Sequence, residues 1–167
     1  SHGIYVQNGT GTKRIADNVV FNQFGFGMQA YGSSAASLKN FDIEGNTFFD
    51  SGAAAGQGYR AKTEFLVGGG TPAENIVVRN NHTYHDGLGS AVDLGYAYGV
   101  DNKNLTLTNN YFANDLRFWQ DWQSISAQGN TVLGNLKGLS STSGITVKTP
   151  GGTSVFVEAN EYEKGRG

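Results

Sequence analysis

The sequence predicts an all-β solenoid of about six stacked coils, a parallel β-helix, and three observations predict it. First, one frame recurs along the chain: apolar, any, apolar, any, any, Asn, any, apolar. It is clearest in Phe41-Asp-Ile-Glu-Gly-Asn-Thr-Phe48. Its copies lead to Asn18, Asn46, Asn81, Asn110, Asn130 and Asn160, at steps of 28, 35, 29, 20 and 30 residues, and repeats at such intervals mark solenoid architectures. Second, each copy alternates with period two, which makes it a strand. Third, the chain of 167 residues has 25 Gly, 2 Pro and only 16% charged residues, a composition suited to many bends and to backbone buried by stacking.

The strand frame carries its own packing logic. The paired apolar residues face inward and the Asn ends the strand at a bend, because Asn tolerates unusual backbone angles and its side chain reaches nearby backbone groups. If the coils stack, the six Asn residues stack as well, and each amide donates to the next in a buried ladder whose polar groups are paired. Lys13 is the one break, standing where the first apolar residue of the first copy belongs.

Between these strands lies a second type, led by Gly. Ile4-Tyr-Val6 follows Gly3, and Met28-Gln-Ala-Tyr31 follows Gly25-Phe-Gly27. Glu64-Phe-Leu-Val67, Ala91-Val-Asp-Leu94, Phe118-Trp-Gln-Asp-Trp122 and Gly144-Ile-Thr-Val-Lys148 continue the series. Alternation points Ile4/Val6, Met28/Ala30, Phe65/Val67, Val92/Leu94 and Ile145/Val147 inward. It points Tyr5/Gln7, Gln29/Tyr31, Glu64/Leu66, Asp93 and Thr146/Lys148 outward. In the fifth coil either Trp119 and Asp121 or Gln120 and Trp122 face out. Each coil thus has at least two strands, with a strand rather than a helix in each crossover, and the crossover preference makes the solenoid right-handed. Residues 1–167 read as a single domain.

Several function classes are excluded. A formal net charge of −2 supplies no electrostatic footprint for nucleic acid. Zero Cys excludes disulfides and thiolate zinc sites. No apolar run is long enough to span a bilayer as a helix.

The coil grammar of Phe41–Phe49 and Leu105–Phe112, with Asn at the bend, resembles the right-handed parallel β-helix proteins of the pectate-lyase-like superfamily. The opening His2-Gly-Ile-Tyr-Val-Gln-Asn8 and the closing Val155-Phe-Val-Glu-Ala-Asn-Glu-Tyr-Glu-Lys-Gly-Arg166 are similar to segments of its secreted bacterial members. The resemblance covers essentially the whole chain. It implies an extracellular or cell-surface protein that binds a polysaccharide and cleaves it as a lyase or glycoside hydrolase. Neither the calcium-and-arginine site of the pectate lyases nor the aspartate motif of the polygalacturonases has a match here. Such relatives begin with a cap, whereas this chain begins inside a strand. The expectation is therefore a segment of a longer solenoid, or a chain that stacks head to tail into an open filament through uncovered Ile4, Val6, Val155 and Val157.

Candidate chemistry lies on the outward column. Glu64, Asp93 and Asp121 come from successive coils, so carboxylates of neighbouring coils would sit roughly 5 Å apart and those of alternate coils roughly 10 Å. These separations approach those of retaining and inverting glycosidase pairs. Stacked like charges also raise one pKa, as a general acid requires. The same column offers oxygen ligands to calcium, the one cofactor the residues suggest, or is simply a solvated acidic stripe. Tyr5, Tyr31, Tyr96, Tyr98, Trp119 and Trp122 could stack on sugar rings, with Gln7 and Gln29 meeting hydroxyls, or could pack at bends and interfaces. Arg60, Lys62 and Lys148 could hold a uronate carboxylate or serve as a base for β-elimination, or are ordinary surface charge. His82 and His85, three apart in a strand, face opposite sides and do not share a metal. Asn8-Gly-Thr, Asn81-His-Thr and Asn104-Leu-Thr fit the N-glycosylation pattern. Three function classes follow: a carbohydrate-active enzyme, a structural solenoid, and a carbohydrate-binding module without chemistry. Among them fold alone does not choose.

Overall fold

A computed structural model describes residues 1–55, 63–85, 91–96, 100–120, 122–134, 136–137 and 146–147. Among these, the chain winds through successive three-strand coils. The first coil is β1 (Ile4–Val6), β2 (Lys13–Ala16) and β3 (Val19–Phe21); the second is β4 (Met28–Ala30), β5 (Leu38–Glu44) and β6 (Thr47–Phe49). The third is β7 (Phe65–Gly68), β8 (Ala73–Arg79) and β9 (His82–Tyr84); the fourth is β10 (Ala91–Tyr96), β11 (Lys103–Thr108) and β12 (Tyr111–Phe112). The fifth is β13 (Asp115–Phe118), β14 (Ile125–Gln128) and β15 (Thr131–Val132), and β16 (Leu136–Lys137) and β17 (Thr146–Val147) belong to the sixth. A single 3-10 turn, Ala53–Ala55, is the only helical element among the described residues.

Equivalent strands of successive coils pair in parallel. The first sheet is ordered β1-β4-β7-β10-β13-β16, the second β2-β5-β8-β11-β14-β17, and the third β3-β6-β9-β12-β15. The architecture is therefore the parallel β-helix expected from the repeat. Each of the first five coils has three strands, one beyond the two types read from sequence. The residues after each Asn, which the frame treated as its tail, pair into a sheet of their own. Strands of two or three residues are too short for alternation to reveal them.

The inward columns follow the frame. Phe41, Ile76, Leu105 and Ile125 lie in register on the second sheet and are buried. Ile15, Ile43, Val78, Leu107 and Ala127 form the next column. On the third sheet, Val20, Phe48, Thr83, Phe112 and Val132 align. The core is thus a set of stacked side chains of one kind, and the rings of Phe48, Phe65 and Phe112 meet across it. Lys13 occupies the Phe41 column at the edge strand β2 and is exposed.

The Asn ladder forms at the bend between the second and third sheets. Asn18 donates through Nδ2 to Asn46 Oδ1 (2.8 Å), Asn46 to Asn81 (2.9 Å), Asn81 to Asn110 (3.0 Å) and Asn110 to Asn130 (2.8 Å). Each accepting Oδ1 also takes the backbone N–H of the donor residue. The second amide hydrogen goes to a strand carbonyl of the preceding coil: Ile15 for Asn46, Ile43 for Asn81, Val78 for Asn110 and Leu107 for Asn130. Asn46 through Asn130 are buried with their donors and acceptors paired, as buried amides must be. The left-handed backbone angle falls one residue earlier than the ladder, at Asp17, Gly45, Asn80, Asn109 and Gly129, with φ between 54° and 67°. Asn160, the sixth member expected from sequence, lies outside the described residues, as do Val155 and Val157.

Two coil assignments need correction. In the fifth coil the first-sheet strand is Asp115–Phe118 rather than Phe118–Trp122, with Leu116 and Phe118 inward. A short coil, 20 residues between its Asn and the one before, leaves no room for a Gly-led lead-in. In the sixth coil Thr146–Val147 pairs with β14 on the second sheet, and Leu136–Lys137 pairs with β13 on the first. The Gly144–Lys148 stretch therefore supplies a second-sheet strand, although its alternation matched the Gly-led type.

Candidate functional site

The outer face of the first sheet carries a groove of about 340 Å3. Tyr31 and Phe26 flank it at one side and Trp119 at the other; Gln29, Leu66 and Asp93 line it between them, and Gly69 and Gly70 complete the wall. Strand parity builds it. Gln29, Leu66, Asp93 and Arg117 are consecutive outward residues in register on β4, β7, β10 and β13. Trp119 follows one residue past β13, held there by its backbone N–H bonding to Leu94 O (2.9 Å). Gly69 is required beside Tyr31, since a Cβ there would lie 2.7 Å from the Tyr31 ring and from the Gly32 carbonyl oxygen.

Asp93 organises one wall. Arg117 grips it through two nitrogens, Nε to Oδ1 at 2.6 Å and a terminal nitrogen to Oδ2 at 2.8 Å. The Trp119 Nε1–H donates to Oδ1 (2.9 Å) and the Thr63 hydroxyl to Oδ2 (2.6 Å). A carboxylate has about four lone-pair sites, so these four donors occupy it fully. The result is a buried, charge-compensated anchor, with an indole fixed to it while that indole remains 37% exposed. Arg117 was not among the residues singled out by sequence, because misplacing the fifth-coil strand hid its outward parity.

An aromatic run continues the groove toward the first coil. Tyr31 stacks on Tyr5 (centroids 5.9 Å apart), Tyr5 on His2 (5.9 Å), and His2 on Phe26 (5.0 Å). His2 Nδ1 accepts the Phe26 N–H (3.2 Å), and burial keeps its pKa below the ordinary value, consistent with a neutral ring that accepts. Tyr5 is exposed. From Tyr5 to Trp119 the face crosses four coil steps, about 19 Å, long enough for an extended chain of several sugar rings.

Glu64 stands apart from this wall. Sequence placed it outward and beside Asp93; the structure buries it completely, and Leu66 is the register partner of Asp93. Glu64 lies one residue before β7, shifted by two positions along the strand. Ser51, in the turn after β6, closes over it: the hydroxyl donates to Oε2 (2.7 Å) and the backbone N–H to Oε1 (3.3 Å). His85 Nε2 bonds the Ser51 carbonyl (3.0 Å). Burial pushes the Glu64 carboxyl up to about 7, against the opposing pull of the Ser51 hydrogen bonds and His85.

The remaining candidates separate clearly. Trp122 is buried, packed against Gly95 and Asn102; it belongs to the core and not to a sugar platform, so of the two fifth-coil alternatives Trp119 faces out. Gln7 is exposed beyond the groove lining. His82 is exposed and stacks on Tyr111, whereas His85 is buried. Of the three glycosylation matches, Asn8 and Asn81 are buried and Asn104 is exposed. Asn104 joins a second amide ladder that sequence did not reveal, donating to Asn75, which donates to Asn40. All three have left-handed φ, 56° to 57°. Asp121, Arg60 and Lys148 lie outside the described residues. No cluster of metal-ligating side chains occurs among the described residues, and no described helix is long and apolar enough to cross a membrane.

No protein-family model matches the chain, no curated protein matches it, and no solved structure matches it.

Proposed function

We propose that this β-helix is a carbohydrate-binding protein of the pectate-lyase-like type, holding an extended polysaccharide along the outer face of its first sheet, in an extracellular or cell-surface setting. The observation that carries the reading is Trp119: a partly exposed indole, fixed by its hydrogen bond to Asp93, at the wall of a groove faced by Tyr31. Sugar rings have apolar faces that stack on such surfaces, and a platform that is already oriented loses little entropy on binding. Binding is better supported than cleavage. Asp93 has no lone pair left to act as a base, and Glu64, although its pKa suits an acid, is buried outside the groove lining.

The test is affinity electrophoresis of the wild-type chain and Trp119→Ala through a broad panel of neutral and uronate polysaccharides, with assays for new reducing ends and unsaturated products. Retardation of the wild type but not the variant, without products, is the expected result. Product formation would restore the lyase or hydrolase reading. Absence of retardation on every member would remove the carbohydrate reading.

A further inference from the structure

We infer that the groove between Tyr31 and Trp119 selects neutral sugar rings over uronates; the inference rests on the carbohydrate reading above. Among the described lining residues Asp93 is the only acidic or basic side chain, and its charge is matched by Arg117, which turns Nε and a terminal nitrogen to it. A uronate placed here would face a carboxylate wall, the apolar Leu66 and the Gly69–Gly70 backbone. It would lose hydration, and the neighbouring cation, Arg117, lies outside the lining with Nε and a terminal nitrogen already committed to Asp93, so its own charge would go uncompensated, which is costly for an ionised group. A neutral ring faces a different balance. Its apolar face meets the indole of Trp119. Its hydroxyls, each both donor and acceptor, meet the half-buried Gln29 amide, which offers both functions. Among the described residues no side-chain hydrogen bond holds that amide.

Calorimetry with matched oligosaccharides tests this. The probes are neutral hexasaccharides of glucose, mannose and galactose and their C6-oxidised counterparts, titrated into the wild-type chain, Trp119→Ala and Gln29→Ala. The expected result is at least one neutral probe bound about tenfold or more tighter than its oxidised partner. Its affinity should change little between about 0.01 M and about 1 M salt, since screening acts on charged pairs. It should be lost in Trp119→Ala and weakened in Gln29→Ala. An oxidised partner bound as tightly or more tightly overturns the selectivity and leaves the carbohydrate reading standing. Failure of every probe in both series overturns the two together.

Discussion

Asn110 and Asn104 both belong to side-chain ladders, Asn110 between two amides and Asn104 between the Asn75 amide and the Ser124 hydroxyl, yet they hold different amounts of stability. Asn110 is buried, and its removal takes the acceptor from the Asn81 backbone N–H and side-chain amide and the amide donor from the Val78 carbonyl, while Asn130 Oδ1 keeps only the backbone N–H of residue 110. Asn110→Ala should therefore lower unfolding free energy by roughly 3 kcal/mol, the range for buried groups left unpaired. Asn104→Ala, on the solvated ladder, should lower it by less than about 1 kcal/mol. Urea unfolding of the two variants checks the contrast. Glu64 supplies a second residue-scale prediction. Its pKa is raised on folding from 4.5 to about 7 by burial, so the folded state holds a proton that the unfolded chain has released. Its contribution to stability is fully present below about pH 4.5 and declines as pH rises toward about 7, by an amount on the order of 3 kcal/mol. Glu64→Gln should flatten that part of the pH–stability profile, measured by urea midpoints at about pH 5 and about pH 8.

At the scale of the element, strand β2 is informative. Lys13 continues the inward Phe41 column yet remains exposed, since no described strand lies beyond β2 in the second sheet. Lys13→Ile leaves an apolar side chain open there and should promote association of this 167-residue chain, seen as a rise in sedimentation coefficient with concentration; an unchanged monomer–oligomer distribution would contradict this. The elements also show what sequence could carry. The second sheet and the ladder from Asn18 to Asn130 were legible because apolar spacing and Asn recur together. The third sheet was not, since its strands offer only one inward residue each. Tyr31, Gln29 and Trp119 were legible as outward residues of a parallel face. Arg117 was hidden by a coil shortened before it, and Glu64 was misread because parity gives the face of a strand but not what covers it. The turn at Ser51 that buries Glu64 comes from the preceding coil, 13 residues away, and no local pattern announces that contact.

At the scale of the molecule, the groove is a property of stacking. Gln29, Leu66, Asp93 and Arg117 belong to four coils, and only the common register of the first sheet aligns them. A ligand that bridges these coils binds the folded chain alone and so stabilises it by mass action. The carbohydrate reading puts the saccharide on this face and on neither of the other two sheets. The decisive measurement is a crystal structure of the chain with its tightest-binding neutral oligosaccharide. The expected result is a sugar ring stacked on the Trp119 indole with a hydroxyl hydrogen-bonded to the Gln29 amide. Density for the sugar on the second or third sheet, with the groove between Tyr31 and Trp119 empty, would contradict it.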